Sequence, residues 1–156
     1  MRTKLRLGLA AAALLVSTFG VTAIGASPAH AALSCTGSGC NGKNPSLYGC
    51  TATAHTVNST TWSDGAAGSL ATQKVELRYS TKCKASWARV TATGTGTIHV
   101  TSTKAYMSPY ATSTGRTILH SGAVYSNMRA GSAVNACGKT NFNNGAVIQT
   151  NCTGAG

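Results

Sequence analysis

Residues 74–90, KVELRYSTKCKASWARV, decide the fold. Val75, Leu77 and Tyr79 alternate with Lys74, Glu76, Arg78 and Ser80, a period of two residues. That is the period of a strand with one face on a core and one toward solvent. On this reading Val75, Leu77 and Tyr79 point inward, and Cys83 with Trp87 anchors the following turn to the core. Ile98 and Val100 alternate with Thr97, His99 and Thr101 in the same way. Thr117 to His120 and Ala123 to Met128 read as two further strands about a turn at Ser121-Gly122.

From Thr51 onward the chain is rich in Thr, Val, Ala and Gly, with no sustained 3.6-residue apolar period. Short β runs separated by Gly and Asn predict an all-β, disulfide-stabilised antiparallel sandwich or barrel. A β-trefoil fits the length and is the alternative, although no threefold repeat is visible. Residues 35–50, CTGSGCNGKNPSLYGC, have turn composition and read as a stapled loop region.

The C-terminus fixes a register. Asn144-Gly145 is a hairpin-turn dipeptide between KTNF and AVIQT. Pairing outward from it sets Asn143 against Ala146, Phe142 against Val147, and Cys137 against Cys152. A Cys137–Cys152 bridge would therefore close the hairpin base. Strict counting makes this a hydrogen-bonded pair, with Cα atoms about 5.5 Å apart, and Gly138 is a candidate bulge.

Residues 1–31 read as an export signal. Arg2, Lys4 and Arg6 precede a mostly apolar run from Leu7 to Ile24, and Ala29-His30-Ala31 is a small-x-small cleavage site. Ala32 would begin a single exported domain over residues 32–156, with no further membrane segment. All six cysteines follow that point, and an even set in an exported chain predicts three disulfides. With Cys137 and Cys152 paired, Cys35, Cys40, Cys50 and Cys83 pair among themselves in an order the spacing leaves open. A zinc knuckle with His55 as local fourth ligand is the competing reading. Export favours bridges, so no metal and no cofactor are expected.

Losing Arg2, Lys4 and Arg6 from 13 basic residues leaves 10 against 2 acidic, a charge of +8. Such a balance bears on partners and solubility rather than fold. Arg78, Lys82, Lys84 and Arg89 form the densest basic cluster and are the candidate binding residues. They point to a monomeric binding or structural module for an anionic cell-wall polymer or glycan, with nonspecific attraction to nucleic acid.

Enzymatic readings rank lower. Asp64 and Glu76 are the only acids, and Asp64 sits in WSDG, which reads as a tight turn. A small secreted ribonuclease would use Glu76, His99 and His120 for proton transfer, with arginines on the phosphate. Glu76 between Lys74 and Arg78, however, reads as a surface ion pair, and His99 as a solvated outward position. A protease inhibitor would use AYMSPYATSTG, residues 105–115, as its loop, with Tyr106 or Met107 in a specificity pocket. That segment has no cysteine to brace it.

The run CTGSGCNGKNPSLYGC followed by VELRYSTKCKASWARV, with YSNM and Ala136-Cys137 downstream, resembles the YjfA-like exported family, the domain of unknown function numbered 2690. The resemblance implies a small exported domain common in actinobacteria and related Gram-positives, attached in some relatives to a regulator-like protein, and it implies no activity. Asn44 and Thr53 stand where the family pattern has acids, which argues against carboxylate chemistry in this member.

Overall fold

Strand β1 (Ala54–Ala66) folds back on β2 (Ser69–Ser80), and β2 on β3 (Ala85–Gly94), a meander of adjacent antiparallel pairs. The computed structural model describes residues 33–108, 114–116, 121–131 and 134–154. The signal expected over residues 1–31, the strand expected over Thr117 to His120, and His120 itself lie outside them. Six more described strands follow: β4 (Val100–Ser108), β5 (Thr114–Arg116), β6 (Ser121–Tyr125), β7 (Arg129–Ala130), β8 (Asn135–Phe142) and β9 (Val147–Cys152). One sheet has the order β1-β2-β3-β6 with β7 also on β3; the other is β5-β4-β8-β9. The sheets face each other as an antiparallel sandwich, neither barrel nor trefoil.

The inner faces follow the predicted alternation. Val75 and Leu77 of β2 and Ala88 and Val90 of β3 meet Ala105 and Met107 of β4 and Ala136 and Phe142 of β8 in one buried cluster. Tyr79 shares their parity but lies beyond the cluster, half-buried and edge-on to His55 at 5.7 Å. The sheets approach closely at Gly138, where a Cβ would lie 2.7 Å from Cγ2 of Val90 and 2.9 Å from Cγ2 of Val75. The ladder runs through Gly138 without a break, so this glycine gives room to the facing sheet rather than making a bulge. Gln73, fully buried on the same inner face, donates to Thr140 Oγ1 at 2.8 Å and accepts from Asn151 Nδ2 at 3.1 Å. These partners satisfy a polar group whose burial would otherwise be costly.

A second cluster covers the other side of the first sheet. Trp87 pairs with Arg78 and has the parity of Arg89, so it points away from Val75 and Leu77. Cys40, Cys50, Cys83, Ala85 and Met128 pack around it, with Tyr48 at the margin. The Cys-rich segment before β1 therefore acts as a lid on Trp87, correcting the expectation that Trp87 joins the main core.

Local sequence signals were overridden at several points. Asp64 and Gly65 are strand residues opposite Ala71 and Leu70, and the β1–β2 turn falls at Ala67-Gly68. Gly68 at φ 80° takes the left-handed conformation that the turn requires. Ser121 and Gly122 do not turn either: they pair with Thr93 and Ala92 on the free edge of β3, and that strand ends at Tyr125 rather than Met128. Val57 is an extra residue between the pairs Thr56–Arg78 and Asn58–Leu77, a bulge in β1.

Between β8 and β9 the register runs as expected from Phe142–Val147 to Cys137–Cys152. The loop differs: Asn143–Gly145 is a 3-10 turn, closed by the Ala146 N–H donating to the Asn143 carbonyl at 3.2 Å. The ladder thus stops at Phe142–Val147. Asn143, at φ 47°, exchanges bonds with His99: its N–H donates to the His99 carbonyl at 2.9 Å, and its Oδ1 accepts the His99 N–H at 2.8 Å. The Cα atoms of Cys137 and Cys152 are 4.1 Å apart. That is near the narrow spacing of a non-hydrogen-bonded pair, about 4.5 Å, not the wider one that a two-residue turn implies.

Candidate anion-binding surface

The outer face of the first sheet gathers charge around one carboxylate. Glu76 is only 5% exposed, although its parity directs it away from the core. Lys74 Nζ lies 3.3 Å from its Oε1, Arg89 Nε 3.2 Å from its Oε2, and Arg78 Nη1 4.0 Å from Oε1. Arg78 Nη1 also donates to Thr56 Oγ1 at 2.6 Å, the Thr56 hydroxyl donates to Glu76 Oε1 at 3.1 Å, and Arg78 Nη2 donates to the Ala54 carbonyl at 2.9 Å. The Arg89 Nε approach is an ion pair without hydrogen-bond geometry. Three cations around one acid leave two positive charges on this face. Glu76 is therefore a buried hub and not the surface ion pair that its sequence neighbours suggest.

The four basic residues singled out from the sequence divide into two roles. Arg78 and Arg89 hold the hub. Lys82 and Lys84 stand exposed on the β2–β3 connection, where Ser80 Oγ accepts the Cys83 N–H at 3.1 Å and Lys84 takes φ 48°. Neither has a carboxylate partner among the described residues. Lys43 adds to this tip: its Nζ lies 5.7 Å from the centre of the Tyr48 ring, and the adjacent Gly49 approaches Lys82 Nζ. Lys43 is remote in sequence, and only the fold of the lid brings it there. On the second sheet, exposed Lys104 and Lys139 stand directly opposite each other. Like charges so placed repel, and neither acid of the chain belongs to that sheet.

The bridges are Cys35–Cys40, Cys50–Cys83 and Cys137–Cys152. The sulfurs of the first two lie within 4.8 Å of one another, a tetrad of the kind that holds zinc when reduced. Its fourth member is Cys83, not His55. Paired as disulfides, Cys35–Cys40 closes the lid on itself and Cys50–Cys83 staples it to the β2–β3 connection.

Of the residues considered for catalysis and inhibition, Glu76, His99, Tyr106 and Met107 are described, whereas His120 and residues 109–113 lie outside the described residues. Among the described residues the polar partners of Glu76 are Thr56, Lys74, Arg78 and Arg89, with no histidine. His99 lies one residue before β4, tied by its backbone to the β8–β9 turn. Met107 is 1% exposed within β4, so it cannot enter a protease pocket.

The sequence profile of the family described as protein of unknown function (DUF2690) matches residues 38–137. The chain belongs to this family. The DUF2690 match takes in the lid, the Glu76 hub, Trp87 and the exposed tip, and ends where β8 reaches the last bridge. No curated protein and no solved structure matches the chain. In this DUF2690 member the two positions without acids have local partners: Asn44 Oδ1 accepts the Ser46 N–H at 2.9 Å, and Thr53 Oγ1 meets Ser80 Oγ at 2.7 Å. Among the described residues no helix is long and apolar enough to cross a membrane.

Proposed function

We propose that this DUF2690 protein is an exported binding module for anionic polymers of the cell envelope, held by electrostatic contacts at the lid tip. One observation carries the reading. Glu76 is enclosed by three cations and Asp64 lies at the opposite end of β1, so Lys43, Lys82 and Lys84 have no acid to neutralise them. Three disulfides suit an extracellular setting. Stapling of the tip lowers the conformational entropy lost on binding.

The test is binding to a glycerol-phosphate wall polymer across a salt series. Three phosphate contacts, taken at the slopes known for nucleic acids, predict a loss of roughly twentyfold to fortyfold between 50 and 200 mM salt. The variant Lys43→Gln/Lys82→Gln/Lys84→Gln should lose most of the affinity and most of the salt dependence. Unchanged binding by that variant overturns the assignment of the tip.

A further inference from the structure

A cleft of about 280 Å³ opens between the sheets at the end of the sandwich away from the lid. Trp62, Ile98, Phe142 and Val147 supply its apolar wall, and Asp64 and Asn143 its polar rim. Trp62 is half-buried, with its ring 6.0 Å from that of Phe142 at an interplanar angle of 36°. Trp62 opposes Gln73 and Asp64 opposes Ala71, both inner-face positions, so the two side chains are directed into the same opening. Asp64 is one of two acids in the chain and has no ion-pair partner among the described residues.

We infer that this cleft is a saccharide subsite that takes one ring of a neutral or N-acetylated sugar. The chemistry of the walls selects the ligand class. A phosphate or carboxylate would be repelled by Asp64, which pairs with no cation among the described residues. A free ammonium would have to approach against the field of a strongly basic chain. What remains is a neutral group with an apolar face for Trp62 and hydroxyls for the rim. The Asp64 carboxylate accepts two hydroxyl protons, and the Asn143 amide, whose oxygen is engaged by His99, has its nitrogen to donate. A volume just below the range of drug-sized pockets suits a single ring rather than a long ligand. The subsite goes beyond the polyanion reading and stands without it, because a neutral sugar makes no use of Lys43, Lys82 or Lys84.

Trp62 fluorescence reads the site directly, since Trp87, the only other tryptophan, is 1% exposed beneath the lid. The probes are neutral tetrasaccharides of N-acetylglucosamine, glucose, galactose and mannose, titrated at 50 and 500 mM salt. At least one should perturb the emission saturably and to the same extent at both salt concentrations, and the signal should vanish in Trp62→Phe. Asp64→Asn should weaken that binding about tenfold or more, the loss of one hydrogen bond to a charged group, at an unchanged melting temperature. Lys43→Gln/Lys82→Gln/Lys84→Gln should bind the sugar like wild type. The inference is overturned if none of the four sugars alters Trp62, or if Asp64→Asn binds as tightly as wild type. Neither result bears on retention of the glycerol-phosphate polymer, so the two sites fail separately.

Discussion

Replacing Gly138 with alanine adds one methyl group against the facing sheet, and the structure sets the sign of its effect. The new Cβ would meet Cγ2 and Cγ1 of Val90 at 2.7 and 2.9 Å and Cγ2 of Val75 at 2.9 Å, all below the separation that real Cβ atoms keep. Both valines are fully buried and β-branched, with little rotamer freedom to move aside. Overpacking of this kind costs about 1–3 kcal/mol. One opposing term exists: alanine restricts the unfolded chain, a stabilisation of about 0.4–1 kcal/mol. The clash is larger, so Gly138→Ala should be destabilised by about 0.5–2.5 kcal/mol. Urea unfolding followed by circular dichroism measures this as a lower midpoint at constant slope. Val90→Ala removes two of the three clashing methyls. The double variant should therefore be less destabilised than the two single costs together, by about 1 kcal/mol. Gly138→Ala at or above wild-type stability, or strictly additive costs, would refute the close approach.

Glu76→Gln removes the acid from its three cations. Loss of one partner from a fully buried pair costs about 3–5 kcal/mol. Lys74 and Arg89 are 48% and 37% exposed, so screening lowers the expectation to about 1–3 kcal/mol. The loss should shrink in 0.5 M salt, which denaturant melts at two ionic strengths will report. The bridges span 5, 15 and 33 residues, so replacing each pair with alanine should cost about 2, 3 and 3.7 kcal/mol, for Cys35–Cys40, Cys137–Cys152 and Cys50–Cys83 in that order. Thermal melts of the three double variants check the ranking.

The legible parts of this molecule were those set by short-range pattern. Alternation in residues 74–80 gave β2 and its inner face, and pairing outward from Asn144-Gly145 gave the β8–β9 register. What failed did so where a distant strand outweighed a local signal. Asp64-Gly65 has turn chemistry, but both residues are held in the ladder opposite Ala71 and Leu70. Ser121-Gly122 reads as a turn until the free edge of β3 recruits it. Trp87 kept the right alternation and still reached an unexpected place, because the lid gives the first sheet a second buried side. The basic cluster was legible as composition only. Its division into hub and tip depends on Glu76 being enclosed, which its sequence neighbours do not reveal. The cleft draws on β1, the β3–β4 connection and the β8–β9 turn, so no single stretch of sequence carries it.

The extra residue at Val57 acts on β1 as a frameshift acts on a message. Before it, even-numbered Thr56 faces outward with Arg78 and Glu76; after it, even-numbered Trp62 and Asp64 face inward with Gln73 and Ala71. Were Val57 instead paired like its neighbours, Thr56 and Trp62 would fall on the same side of the sheet. Deleting Val57 would let Asn58 follow Thr56 as Leu77 precedes Arg78, so the ladder would become regular with Thr56 still at the hub and Trp62 and Asp64 still at the cleft; only the local bend would go. By staying out of the ladder, Val57 lets a single edge strand brace the charged face at one end and line the opening between the sheets at the other.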